Sequence, residues 1–265
     1  MRGLLASPLG LLIGLALGTL GSGGSILAVP ALVYAAGETP RAATATSLLL
    51  VAAAAAVGLW THARAGRVRF ATGAGFGLVG TGGSLAGTAL NRRIDADVLL
   101  LAFSGLILIA AWRMITGCPS CTRAGEARAL AGTTATAHPA WTAGGAALVF
   151  VIATVVGFLT GLFGVGGGFV VVPALTLVLG FAMPEAIGTS LLVVLINSIV
   201  ALAARLDGAD IHWPLATAFT ATAVAGALMG GRFAGRLDPE RTLRYFAAGL
   251  VVLAVYTAMT ALASL

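Results

Sequence analysis

Lysine and glutamine are absent from this 265-residue chain, asparagine and cysteine each occur twice, and only 9% of the residues are charged. Soluble domains carry roughly 25% charged residues, so a chain this poor in charge cannot coat a water-soluble globule. Two cysteines cannot staple a disulfide-rich secreted scaffold. The net charge of +6 comes entirely from arginine, and these arginines lie between apolar runs instead of forming the single patch of a nucleic-acid groove. What is abundant is apolar: 59% hydrophobic residues, 37 glycines and a mean hydropathy of +1.03. Taking 59% of 265, about 156 residues, and roughly 20 per crossing leaves room for seven or eight spans. The composition predicts an all-α, polytopic membrane protein with the lipid bilayer as its surroundings.

Charge-free windows run over 3–37, 42–61, 70–91, 98–112, 129–184, 186–204, 211–231 and 245–265. An internal repeat organises them. Shifting the chain by 143 positions aligns 14–114 with 157–257 without a gap, with about 25 identities among the 101 pairs. Gly14, Gly18, Gly21, Gly23, Gly24, Val29 and Pro30 match Gly157, Gly161, Gly164, Gly166, Gly167, Val172 and Pro173, and Thr46-Ser47-Leu48-Leu49 matches Thr189-Ser190-Leu191-Leu192. Each half therefore has four apolar segments, 1–114 and 143–265, joined by a linker over 115–142 that holds Gly, Pro, Thr, one His and both cysteines. The opening Met1-Arg2-Gly3 and its apolar run resemble a signal peptide, but a segment with a twin deep in the chain is not expected to be a disposable leader.

The first segment of each half is too long for one straight crossing. Residues 4–36 would make a helix of about 50 Å against a hydrocarbon core of about 30 Å. The glycine runs Gly21-Ser22-Gly23-Gly24-Ser25 and Gly164-Val165-Gly166-Gly167-Gly168 predict where it breaks, because consecutive glycines each disfavour helix by about 1 kcal/mol. Unwound backbone survives in a bilayer only inside protein or along a cavity. Paired breaks at corresponding positions are the best pointer to a transport site.

Arginine positions bear on topology. Single crossings throughout would divide the fifteen arginines eight to seven, which selects no orientation. If each first segment is a re-entrant or full hairpin, Arg64, Arg67, Arg69, Arg113, Arg123, Arg128, Arg232, Arg236, Arg241 and Arg244 share one face against five on the other. The positive-inside rule then makes that face cytoplasmic and the halves inverted repeats.

The two four-segment halves, each with a Gly-rich break followed by an apolar stretch and proline, resemble the TauE/SafE family of sulfite and organosulfonate exporters. Gly161-Leu162-Phe163-Gly164-Val165-Gly166-Gly167-Gly168 through Pro173-Ala174-Leu175, with the later Gly188-Thr189-Ser190-Leu191, carries the resemblance. It implies transport of a small anion, such as sulfite, a sulfonate or a small carboxylate, across the cytoplasmic membrane.

The residues suit an anion on their own account. No arginine lies in the middle of a window, so the expected donors are backbone N–H groups at half-helix starts and neutral side chains. The candidate substrate-binding set is Gly21, Ser22, Gly23, Gly24, Ser25, Thr46, Ser47, Gly164, Gly166, Gly167, Gly168, Thr189, Ser190 and Asn197, with no catalytic residue, metal or cofactor. The Thr-Ser pairs serve equally as bonds to their own helices, and Asn197 equally as a helix-to-helix bond. Gly83, Gly87, Gly226 and Gly230, at small-xxx-small spacing, are expected to pack helices. Glu38, His62, Glu185, Asp207, Asp210 and His212 fall at segment ends, where solvation is expected and where His62 beside Trp60 and His212 beside Trp213 suit interfacial anchors. Cys118-Pro119-Ser120-Cys121 lacks a second pair for a zinc site. An intramembrane serine protease would need a buried histidine base, and a dinucleotide fingerprint would need a strand before the glycines. A passive anion channel or a structural membrane subunit remains the alternative to a carrier.

Overall fold

The structure is a computed structural model that describes residues 2–20, 25–116, 143–164, 171–172, 175, 179, 181–205, 211–233, 248, 251–252, 254–256 and 258–259. Among these, every regular element is helical. The elements are α1 (Arg2–Leu20), α2 (Ala28–Pro30), a π-helical turn (Ala31–Ala35), α3 (Pro40–Arg64), α4 (Phe70–Asn91), α5 (Ala96–Thr116), α6 (Ala143–Phe163), α7 (Met183–Ala203) and α8 (Trp213–Phe233). By length and composition, Pro40–Arg64, Pro184–Ala203 and Trp213–Arg232 can each cross a membrane. Leu78, Ile109, Phe150 and Val151 are exposed on α4, α5 and α6, as lipid-facing side chains are. The 117–142 stretch, with both cysteines and His138, lies outside the described residues.

The long first segments do break, and they break where the glycines stand. α1 ends at Leu20, one residue before Gly21, and α6 ends at Phe163, one residue before Gly164. Gly164 takes φ +69°, the left-handed conformation that glycine adopts without a Cβ penalty. After the first break the chain rewinds through Ser25–Leu27 into α2. Pro30 falls in the first turn of this short helix, where its missing N–H has no partner to lose. The Glu38 N–H then bonds the Leu32 carbonyl at 3.1 Å, and the Phe181 N–H bonds the Leu175 carbonyl, also at 3.1 Å. Both members of the second bond lie 143 positions after those of the first.

The halves are interlocked. α1 of the first half packs along α8 of the second, and α6 of the second packs along α4 of the first. Glycine permits both crossings. A Cβ on Gly14 or Gly18 would overlap the carbonyls of Ala223 and Ala227, and one on Gly226 or Gly230 would overlap those of Leu11 and Leu15. At the other crossing Gly157 and Gly161 meet Gly80 and Ser84, while Gly83 and Gly87 meet Thr154 and Phe158. The small-xxx-small glycines are thus packing devices, as expected.

Between these crossings α3 and α7, the repeat-equivalent helices, run antiparallel. Thr44 near the start of α3 touches Arg205 just past the end of α7, and Gly58 near the end of α3 lies against Leu191 near the start of α7. An apolar cluster including Leu17, Leu32, Leu50, Leu191, Val194 and Phe219 joins α1, the π-turn, α3, α7 and α8.

Candidate anion site at the helix breaks

A helix that stops inside the protein leaves its last carbonyls without intrahelical donors. The end of α6 shows where such carbonyls go. The Thr160 carbonyl takes the Gly164 N–H at 2.9 Å, and the Leu162 carbonyl takes the Asn91 amide at 2.7 Å. The Gly161 carbonyl accepts from Thr88 Oγ1 at 3.5 Å and from the Arg205 guanidinium. Ser47 donates at 2.6 Å to the Gly164 carbonyl, and it is also within reach of the Thr44 carbonyl at 2.9 Å. A broken helix end is thereby surrounded by polar side chains from α3, α4 and the end of α7.

Arg205 dominates this region. It is 5% exposed, its Nη1 donates to Thr44 Oγ1 at 2.6 Å, and its Nε has no partner among the described residues. Burial draws its pKa down to about 10, with Arg92 contributing, so it stays protonated at neutral pH. No carboxylate pairs with it among the described residues; the one ion pair found there joins Arg69 to Glu185 at 3.1 Å. Arg92 itself donates to the Ala204 carbonyl. The expectation that no full positive charge reaches the broken helices therefore fails at the second break. Arg205 ends its apolar window in the sequence, but α6 stops short and α7 runs antiparallel to α3, so that window edge is carried to the break.

The predicted residues divide. Ser47 and Gly164 meet directly. Thr189 accepts the Arg69 N–H at 3.1 Å at the opposite end of the α3–α7 pair, and Ser190 donates at 2.8 Å to the Ile187 carbonyl of its own helix. Thr46 donates at 3.4 Å to Glu38. Ser25 is buried. Asn197 is fully buried beside Gly80, and among the described residues neither its amide atoms nor the adjacent Ser198 hydroxyl has a partner. Gly21, Ser22, Gly23, Gly24, Gly166, Gly167 and Gly168 lie outside the described residues, as do Asp207 and Asp210.

Two titratable groups expected at the surface are instead inside. Glu38 is 8% exposed and His62 3% exposed. Burial raises the Glu38 pKa above its ordinary 4.5, opposed by the Thr46 hydroxyl and by His212. The repeat offset was the signal that could have found the buried bases. Position 62 matches position 205, so each half places one basic side chain at the end of its second long helix.

The model of the family described as sulfite exporter TauE/SafE matches residues 6–257. The chain belongs to this family. It is 35% identical over 245 residues to a probable membrane transporter protein of Xylella fastidiosa strain Temecula1, covering 92% of this chain and 89% of that one. It is 26% identical over 246 residues to the probable membrane transporter protein YunE of Bacillus subtilis, covering 89% and 86%. A shorter stretch of 71 residues is 42% identical to the probable membrane transporter protein MJ0441 of Methanocaldococcus jannaschii, covering 25% and 27%. No solved structure matches. As a TauE/SafE member the chain is a membrane transporter.

Proposed function

We propose that this TauE/SafE member moves a small anion, of the sulfite, organosulfonate or small carboxylate class, across the cytoplasmic membrane by alternating access. The observation that carries the reading is Arg205: a protonated guanidinium, 5% exposed, with no carboxylate partner among the described residues, at the end of a broken helix. A buried cation without a counter-ion is costly, and an anionic cargo relieves that cost while bound. Ser47, Thr44 and Thr88 stand around the same helix end, so hydroxyls flank the guanidinium. The bonds that Arg205 makes to Thr44 and Gly161 hold it in place for this role.

Inverted repeats are supported by the antiparallel α3 and α7 and by the reciprocal packing of α1 on α8 and α6 on α4. The grouping of arginines supports the hairpin topology. Arg67 and Arg232 line one cavity, and Arg92 reaches the Ala204 carbonyl next to Arg205. Hairpin first segments put each of these pairs on one face, with Arg67 and Arg232 inside the cell, whereas single crossings throughout would separate them. Rocking of the interlocked halves about the α3–α7 pair then exposes the site alternately to each side.

Counterflow of labelled sulfite in proteoliposomes tests the reading. Saturable uptake stimulated by unlabelled sulfite or a sulfonate on the far side is expected. Unsaturable flux would identify a channel, and the absence of flux for any small sulfur oxyanion, sulfonate or carboxylate would refute anion transport.

A further inference from the structure

His62, the repeat counterpart of Arg205, opens a second site. It lies at the end of α3 and lines a cavity of about 170 Å³ with Thr61, Ala65, Arg67, Gly231 and Arg232. The imidazole is 3% exposed and within reach of the Gly18 backbone, and neither ring nitrogen makes a close hydrogen bond to any of the described residues. The Thr61 hydroxyl is already committed to the Gly58 carbonyl at 2.7 Å. That leaves three nitrogen-bearing side chains facing the cavity, those of His62, Arg67 and Arg232, and none of the described lining residues is a carboxylate.

Sign, size and shape together restrict what fits. Two guanidiniums and an imidazole select an anion. Pockets for organic ligands run from roughly 300 Å³ upward, so this one suits a small oxyanion with a few waters. We propose that the cavity is a binding site for a small oxyanion, a waiting station held by His62, Arg67 and Arg232 at the opposite end of the α3–α7 pair from Arg205. This rests on the anion-transport reading and adds a residue-level site to it. The two stations are repeat equivalents: Arg205 donates to the Gly161 carbonyl, and His62 lies against the backbone of Gly18, which is 143 positions earlier. One station stays charged at neutral pH. The other carries a group that ordinarily titrates near neutrality.

The groups around His62 are few. Arg67 follows from its own helix, α1 presents the Gly18 backbone, and α8 presents Arg232; the nearby Arg64 is turned onto the Trp60 ring at 4.1 Å. Among the described residues the charged neighbours of His62 are cations, and a bound anion favours the charged imidazole over the neutral one, so binding should be tighter at mildly acidic than at mildly alkaline pH.

Equilibrium binding of labelled sulfite and of sulfate to the purified full chain, alongside counterflow, tests this. Saturable binding by the wild type is expected. His62→Leu and Arg232→Ala should each weaken it by about tenfold, as the loss of one charge-assisted contact does, while His62→Arg should keep binding and lose its pH dependence. Arg232 is exposed, so its replacement reports on the site even if His62→Leu fails to fold. Unchanged affinity in Arg232→Ala and His62→Arg with the wild-type pH dependence intact would overturn the site while leaving transport standing. Binding that these variants weaken, without any wild-type flux, would keep the site and sink the transport reading.

Discussion

Replacing Asn197 with leucine should make this protein more stable and less active. Asn197 is completely buried in α7, and its amide oxygen and nitrogen are both without partners among the described residues. An amide removed from water and left unpaired costs about 1–3 kcal/mol by protein mutational data. Leucine has the same branching, and its two methyls would stand where the amide atoms now stand, over the bare face of Gly80, from which a Cβ would be 2.9 Å and 3.0 Å away. The side-chain hydrogen bond that reaches this residue, from Ser84 Oγ at 3.4 Å, goes to the backbone carbonyl and survives the change. The expected gain of about 1–3 kcal/mol corresponds to a rise in thermal midpoint of roughly 2–4 °C per kcal/mol for a domain near this size. Thermal unfolding in detergent measures it, and counterflow measures the activity that should fall. Groups kept buried and unpaired against their own stability are expected where a protein has a use for them. A drop in midpoint of several degrees would show that the amide has a partner, and would refute both the orphan assignment and its use.

Three further outcomes follow from the same geometry. Gly164→Ala puts a Cβ at φ +69° and 2.5 Å from the Thr44 carbonyl oxygen; a loss above roughly 2 kcal/mol is expected, read as reduced yield and a lower thermal midpoint. Ser47→Ala removes the 2.6 Å bond to the Gly164 carbonyl and leaves that carbonyl unpaired, for a loss of about 1–3 kcal/mol by the same assay. Glu38 has a native pKa raised above 4.5, so the folded chain holds the proton longer than the unfolded one. Its contribution is therefore greatest below pH 4.5 and declines as pH rises toward the native value. Midpoints measured against pH should show that decline in the wild type and a shallower one, with a higher neutral-pH midpoint, in Glu38→Gln.

Much of the fold was legible because membrane helices are written locally. The apolar windows place the described helices, with 70–91 coinciding with α4, and the two glycine runs mark the ends of α1 and α6 to within a residue. Lipid cannot satisfy a loose backbone, so length and glycine content leave few alternatives. The packing glycines were legible as well, since small residues four apart make a groove. Their partners were not. That α1 lies on α8, and α6 on α4, is a long-range fact that no window contains.

The candidate site was legible in part. Ser47 and Gly164 are candidates on sequence grounds and do meet, whereas Arg205 and His62 stand at window edges, where nothing local signals burial. An arginine at the end of an apolar run reads locally as a loop charge, and the 143-residue offset that pairs it with His62 gains meaning only once both are seen to be buried.

Composition and self-similarity alone were enough to read a helical membrane protein whose sequence repeats at a 143-residue offset, to mark where its helices break, and to point to its family, because each is written in local residue content. The tertiary structure decided which helices interlock, which carbonyls at the end of α6 are answered by Asn91, Thr88, Ser47 and Arg205, and that two basic side chains are drawn inside. These depend on a helix that stops early and on an antiparallel neighbour that carries its own end to meet the stop, contacts between residues more than a hundred positions apart.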